Sequence, residues 1–152
     1  MAENKKKVRK RAGKKIHSAV SLHAHERARE LRERYGPVID YQTVLAMLED
    51  RKSSRFPVTL HFTTDGIEPG MFARTEAVSE NPEEGYVIHI HSHFEQRPDL
   101  LPSLILYQLV LVNYGDLATA NDAELFGSTI LGMEREAYYA HITTITDELW
   151  AQ

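Results

Sequence analysis

The sequence predicts an α+β fold with two N-terminal helices, a three-stranded antiparallel sheet and three C-terminal helices. Apolar residues recur at helical spacing on both sides of a central stretch, and within that stretch they alternate with polar residues as in half-buried strands. The turns between the alternating segments are too short for the crossovers that parallel strands need. With 152 residues, 42% of them hydrophobic, the chain is long enough to bury one core.

The first fifteen residues form a basic segment with eight cations and one acid. Its formal charge of +7 means that the rest of the chain carries −11 of the total of −4. Because such a run repels itself and has few apolar residues to bury, we expect residues 1–16 to be a flexible arm and residues 17–152 to form a single α+β domain. The cations are Lys5, Lys6, Lys7, Arg9, Lys10, Arg11, Lys14 and Lys15, and His17, His23 and His25 extend the same surface.

A cationic arm of this kind can contact several classes of partner. It can neutralise the phosphates of nucleic acid without reading their sequence, and it can bind an acidic protein. It can also act as a solubilising tail or fold back onto the acidic domain. Composition leaves these alternatives open.

The helices before the sheet are marked by periodicity and by stop signals. Apolar residues at every third or fourth position predict a first helix over residues 18–35, which Gly36–Pro37 ends. Asp40 is expected to cap a short second helix whose apolar stripe lies within residues 44–48. Residues 51–55 then form a polar, basic linker to the sheet.

Three strands are predicted from alternation and from turn residues. Residues 58–63 alternate between apolar and polar side chains, residues 71–78 do so less regularly, and residues 86–94 form the clearest strand. Glycine, proline, aspartate and asparagine mark the turns between them. The short connections predict an antiparallel meander.

Everything after the sheet is expected to be helical. Residues 104–112 are apolar around nearly the whole circumference of a helix, which predicts a central helix covered on several sides. Thr119 and Asp122 resemble a capping box that opens the next helix. The last helix carries apolar residues between positions 137 and 150.

Cysteine content and hydropathy exclude several classes of protein. The chain has no cysteine, which rules out a disulfide scaffold, a thiolate zinc site and a cysteine nucleophile. Its longest apolar run is too short to span a bilayer, and no apolar segment of the kind found in secretory signals follows the charged N-terminus. We therefore expect a soluble, cytoplasmic protein with no membrane partner.

The segment directly after the last strand, residues 106–116, reads LYQLVLVNYGD. This order of elements resembles the core of zincin metallopeptidases, in particular the ImmA/IrrE-like group, in which a central helix bearing HExxH follows N-terminal helices and a short β-meander. The resemblance puts Tyr107 and Leu111 at the zinc histidines and Gln108 at the general base. It puts Glu124 in the stretch that carries the acidic ligand. It implies a bacterial origin in stress or mobile-element regulation, where members act on DNA-bound repressors.

These substitutions remove the chemistry of the motif. Tyr107 and Leu111 cannot chelate zinc tightly, and the neutral amide of Gln108 cannot accept a proton from metal-bound water. We therefore expect no catalytic residue and no cofactor at this helix. The expected function is that of a zincin-like pseudoenzyme, a binding or regulatory protein that contacts nucleic acid or an acidic partner through its basic arm. A buried helix unrelated to any enzyme accounts for the apolar residues equally well.

A row of histidines, His89, His91 and His93, is the alternative source of chemistry. On a strand the three side chains share one face, with neighbours about 7 Å apart, so two of them can approach one ion. His61 can supply a further ligand, which gives a second candidate function, a metal-dependent hydrolase with zinc as a possible ion at the row. The same residues also fit a solvated polar face, a pH-responsive surface or the contact face of a structural assembly protein.

Overall fold

The computed structural model describes the backbone of residues 2–151 and the side chains of residues 13–151. Over that range the chain forms five α-helices and one three-stranded sheet, in the predicted order, which confirms the α+β class. No helix within the range is both long and apolar enough to cross a membrane. The helices are α1 (Ala2–Tyr35), α2 (Tyr41–Glu49), α3 (Leu101–Tyr114), α4 (Ala120–Leu131) and α5 (Arg135–Trp150), and the strands are β1 (Val58–Thr63), β2 (Ala73–Ala77) and β3 (Tyr86–His91).

The sheet is mixed rather than antiparallel. Strand β3 lies in the centre, β1 pairs with it in parallel, and β2 pairs with it antiparallel on the other side. The predicted meander is therefore wrong for β1. The chain between Thr63 and Tyr86, which includes β2, is long enough to serve as the crossover that a parallel pair needs. The register sets both His61 and Arg74 opposite His89.

Strand β3 is shorter than predicted and ends at His91. The His91 ring accepts a hydrogen bond from the backbone N–H of His93 over 3.1 Å, and the chain turns there into a short 3-10 helix, Ser92–Gln96. Side chains alternate between faces only while the backbone stays extended. His93 therefore leaves the strand and does not share a strand face with His89, contrary to the prediction.

Helix α1 begins at Ala2 rather than near residue 18. Lysine, arginine and alanine are strong helix formers, and extending an existing helix adds one hydrogen bond for each residue that is ordered, so the basic segment continues α1 towards the N-terminus. Lys14 and Lys15 are exposed. The flexibility expected of residues 1–16 stays a prediction. The side chains of the other six cations, Lys5, Lys6, Lys7, Arg9, Lys10 and Arg11, lie outside the described residues.

Helix α3 forms the centre of the core, as predicted. Its Leu104, Ile105 and Leu109 side chains are fully buried, because α2, α4, α5, β2 and β3 all pack against it. Burial of this kind stabilises the fold by about 2 kcal/mol for each large apolar side chain. The surrounding elements contribute Ala28, Leu31, Val44, Met47, Ile88, Ile90, Phe126 and Tyr138.

A capping box fixes α1 against α4. The Thr119 hydroxyl accepts a hydrogen bond from the Asp122 N–H, and the Asp122 carboxylate accepts one from the Thr119 N–H, as predicted. The same carboxylate accepts a hydrogen bond from the Ser21 hydroxyl of α1 over 2.6 Å. This contact sets the position of the next turns of α1, which carry His23 and Arg27.

Candidate functional site

The positions that correspond to the zincin motif have different surroundings. Gln108 is buried, and its Oε1 accepts a hydrogen bond from the Thr75 hydroxyl of β2 over 2.8 Å. Leu111 is 36% exposed. Glu124 forms an ion pair with Arg135, with 3.7 Å between the charged atoms. Gln108 and Glu124 are thus each engaged with a partner outside the motif, whereas Leu111 faces solvent.

Tyr107, at the position of the first zinc histidine, packs within the fold. Its ring meets the ring of Phe72 edge to face, with 5.6 Å between the centroids. Burial raises the pKa of Tyr107, and the nearby Glu124 carboxylate raises it further. A phenol whose ionisation is opposed in this way stays neutral and is a poor metal ligand.

Strands β1 and β3 bring two of the predicted histidines together. The Nδ1 atoms of His61 and His89 lie 3.0 Å apart. The Nε2 of His89 lies 2.8 Å from the carboxylate of Glu76 on β2, which also pairs with Arg74 at 3.0 Å. Because a carboxylate only accepts, His89 donates through Nε2, and in the neutral ring its Nδ1 then accepts from His61. The result is a hydrogen-bonded chain across all three strands, which we call the histidine cluster.

The groups of the histidine cluster satisfy one another. The hydrogen bonds from His89 and from Arg74 hold the pKa of Glu76 below its ordinary value. His89 is only 9% exposed, and each of its ring nitrogens has a partner. A metal ion bound by His61 and His89 would have to replace the hydrogen bond between them. Among the residues with described side chains, no three histidine, aspartate or glutamate side chains are grouped so as to hold a metal ion.

The other two histidines of the predicted row lie apart from this cluster. The His91 ring packs against Trp150, with 5.6 Å between the centroids, and the His93 ring packs against Phe94 at 5.3 Å. Burial lowers the pKa of His91, and the charge of nearby His93 lowers it further. The row is therefore divided: His89 joins His61 and the Glu76 carboxylate, whereas His91 and His93 pack against aromatic rings.

A pocket of about 340 Å³ opens where α1, the connection between α2 and β1, and the last turn of α3 meet. Four cations contribute to its wall, whereas no carboxylate from the described part of the chain does. We call it the cationic pocket. Its size and charge suit a small anionic ligand. It is lined by Arg27, Arg51, Lys52, Arg55, His23, Ser53, Asn113 and Tyr114.

One amide side chain holds the connection against the end of α3. Asn113 is buried, and its Nδ2 donates to the Ser53 carbonyl over 2.8 Å. Its Oδ1 accepts from the Arg55 N–H, also over 2.8 Å. Because a single side chain satisfies both backbone groups, the two residues on either side of Ser54 keep a defined position relative to α3.

Tyr114 lines the pocket together with two arginines from different elements, Arg27 and Arg55. Its hydroxyl lies 2.6 Å from the Nδ1 of His23, within hydrogen-bond distance. Burial raises the pKa of Tyr114, the charges of Arg27 and Arg55 lower it, and the Asp122 carboxylate raises it. The two arginines therefore add positive charge to the side of the pocket that Tyr114 lines.

Sequence reasoning missed the cationic pocket. Its local signal is the stretch RKSSR, residues 51–55, which was interpreted as a linker. No spacing rule connects that stretch with Arg27 on the first helix or with Asn113 at the end of the third. The tertiary fold alone brings them together.

Comparison of the chain with protein-family models, with curated proteins and with solved structures finds no match in any of the three.

Proposed function

We propose that this protein is a non-catalytic, cytoplasmic binding protein that contacts nucleic acid through the basic segment of α1. The observation that carries the proposal is that α1 is one uninterrupted helix, Ala2–Tyr35. The eight cations therefore stand on a helix whose other end is anchored in the core of an acidic body by Ala28 and Leu31.

The length and charge of the basic segment match those of a phosphate backbone. Fourteen helical residues, 2–15, extend about 21 Å, a distance over which duplex nucleic acid presents on the order of a dozen phosphate charges. Six of the eight cations are lysines, which act as point charges and do not require the planar geometry that an arginine fork does. This composition favours contact that is independent of base sequence.

We assign no catalytic residue to the central helix. The amide of Gln108 cannot act as a general base, and neither Tyr107 nor Leu111 supplies a zinc ligand. The resemblance to ImmA/IrrE-like proteins, whose members act on DNA-bound repressors, points in the same direction as the charge of α1.

The test is the salt dependence of binding by the full chain. Fluorescence anisotropy with a labelled duplex should give an affinity that falls steeply with salt, with a log–log slope of about −0.9 for each phosphate neutralised. Replacing the eight cations of the basic segment with glutamine should weaken binding at least about tenfold at 0.15 M salt.

A matched variant in which the six lysines of the basic segment become arginines keeps the charge and should keep the affinity. Circular dichroism of both variants checks that α1 remains helical. Binding that does not depend on salt, or equal binding by the glutamine variant, would refute the proposal. Binding of an acidic protein but not of nucleic acid would assign the basic segment to the competing class of partner.

A zinc-dependent hydrolase is the second candidate, favoured by the 3.0 Å approach of His61 and His89 beside Glu76. Metal analysis of protein purified without a polyhistidine tag decides it. One zinc ion for each chain, lost in the His61→Ala/His89→Ala variant, would support this candidate. Protein that retains no zinc after dialysis against micromolar zinc would remove it.

A further inference from the structure

The cationic pocket carries positive charge that few carboxylates neutralise. Arg51 is engaged with the backbone, since its Nη1 donates to the carbonyls of Leu48 and Ser54 over 3.2 Å. Arg27 pairs with Glu30 at 3.6 Å, but the Glu30 side chain is largely exposed, and such surface pairs are weak. The Arg55 guanidinium lies over the Phe56 ring, 5.4 Å from its centroid. Arg27, Lys52 and Arg55 thus share one pocket wall to which no carboxylate of the described residues contributes.

A second observation at the same place is a buried hydroxyl without a partner. Ser53 is 1% exposed, and its Oγ makes no hydrogen bond with any described group. The hydroxyl of Tyr35 lies close to it, because Ser53 lowers the pKa of Tyr35 as a hydrogen-bond donor would. Tyr35 itself donates to Asp50 over 2.5 Å, and its contact with Ser53 falls outside hydrogen-bond geometry. A buried polar group that lacks a partner costs about 1–3 kcal/mol, so such groups are uncommon without a ligand or a water to satisfy them.

We propose that the cationic pocket binds a phosphate monoester, with Arg27, Lys52 and Arg55 as the charged donors and the hydroxyls of Ser53 and Tyr114 as neutral ones. A monoester is dianionic near neutral pH and offers three terminal oxygens, which matches several donors arriving from different directions. A phosphodiester carries a single charge and would leave more of the cations uncompensated.

The pocket is organised before any ligand arrives. Asn113 fixes the connection through the Ser53 carbonyl and the Arg55 N–H, and the contact between Ser21 and Asp122 fixes the segment of α1 that carries Arg27. A ligand therefore meets donors whose positions are already set, which lowers the entropy that binding would otherwise lose. This inference does not depend on the basic segment, because the donors that it uses lie outside residues 1–15.

Two sources can supply the monoester: a free nucleotide, or the 5′ end of a nucleic acid. Calorimetric titration of the full chain with adenosine monophosphate, with adenosine as the matched probe, tests the first source. A short oligonucleotide with a 5′-phosphate, compared with the same oligonucleotide bearing a 5′-hydroxyl, tests the second. In each pair the two probes differ only in the terminal phosphate.

Variants identify the pocket as the site. Arg27→Gln/Arg55→Gln should weaken binding of the preferred phosphorylated probe at least about tenfold, because charge-assisted hydrogen bonds are lost. Ser53→Ala should weaken it about threefold. Arg29→Gln/Arg97→Gln removes the same charge from two exposed positions elsewhere and should leave the affinity unchanged. Circular dichroism confirms that each variant is folded.

The outcomes separate this proposal from the function proposed above. Discrimination between the members of either probe pair, lost in Arg27→Gln/Arg55→Gln and kept when the basic segment is neutralised with glutamine, supports the pocket. The absence of discrimination in both pairs overturns it, even if the duplex still binds the basic segment. Equal binding of the phosphorylated probe by the Arg27→Gln/Arg55→Gln variant also overturns it.

Discussion

The histidine cluster and the cationic pocket are both groups of polar side chains, but they differ in whether their hydrogen-bonding groups have partners. In the histidine cluster, His89 has a partner at each ring nitrogen, and one of them is the carboxylate of Glu76. In the cationic pocket, the buried Ser53 hydroxyl has no partner among the described groups, and no carboxylate contributes to the wall. A candidate binding site therefore differs from a structural cluster in having donors without hydrogen-bond partners. The mere proximity of reactive residue types does not distinguish the two.

The largest effect is expected at Asn113, which supports the pocket. Asn113→Leu leaves the Ser53 carbonyl and the Arg55 N–H without their partner, so the free energy of unfolding should fall by about 2–4 kcal/mol. Urea denaturation measures this change. Asn113→Asp keeps the acceptor for the Arg55 N–H but turns a carboxylate oxygen towards the Ser53 carbonyl, so it should destabilise the fold as well. Equal stability of Asn113→Leu and the parent would show that the connection is not held by this side chain.

Removing one group from the histidine cluster and one from the cationic pocket tests this difference directly. His89→Ala breaks two hydrogen bonds and leaves space in a buried site, so it should lower the free energy of unfolding by about 1–3 kcal/mol. Ser53→Ala removes a hydroxyl with no partner and should change the free energy by no more than about 0.5 kcal/mol, or raise it. Urea denaturation without phosphate tests both variants. A large loss in Ser53→Ala would mean that its hydroxyl is already satisfied.

The smallest effect is a pH dependence that comes from His91. Its pKa in the folded protein is lowered by burial, so below about pH 6.5 the unfolded chain binds the proton more readily than the folded one. Stability should therefore fall as the pH drops from about 7 to 5.5, and protonation at Nδ1 would also remove the acceptor for the His93 N–H. His91→Gln should reduce this slope in urea denaturation at pH 7.5, 6.5 and 5.5. An identical slope in the variant would assign the dependence to other groups.

Glu76 contributes in a lower and separate range of pH. Because its pKa in the folded protein is depressed, its stabilising effect is present above about pH 4.5 and is lost as the pH falls through the folded value. Measurements between pH 7.5 and 5.5 therefore report on His91 without this contribution.

Much of the fold was predictable because its signals are local. The Asp40 cap of α2 and the capping box of Thr119 and Asp122 depend on residues three positions apart, and both are present. The apolar run that forms α3 indicated a central helix because only a helix covered on several sides can bury its whole circumference. The helical extension of α1 through the basic segment was not predicted. Charge repulsion suggested a flexible arm, but the strong helix propensity of lysine and arginine favours a helix there.

The candidate sites were harder to predict, because they depend on which strands and helices become neighbours. An antiparallel meander would pair β1 with β2. In the structure β1 pairs with β3, and only that pairing sets His61 opposite His89. The alternating pattern also predicted that His93 belongs to the strand. The strand ends at His91 instead, where the His91 ring accepts a hydrogen bond from the backbone N–H of His93.

The amino-acid order by itself determined the helices, the strands and the separation of charge between the basic segment and an acidic body, since propensity, periodicity and capping act over a few residues. Only the tertiary structure decided that Arg27, Arg55 and Tyr114 line one pocket, and that His89 joins His61 while His91 and His93 lie apart from them. Such contacts join positions far apart in the chain, and their formation is governed by how the apolar faces of α1, α3 and the sheet pack together rather than by the polar residues that are brought into contact.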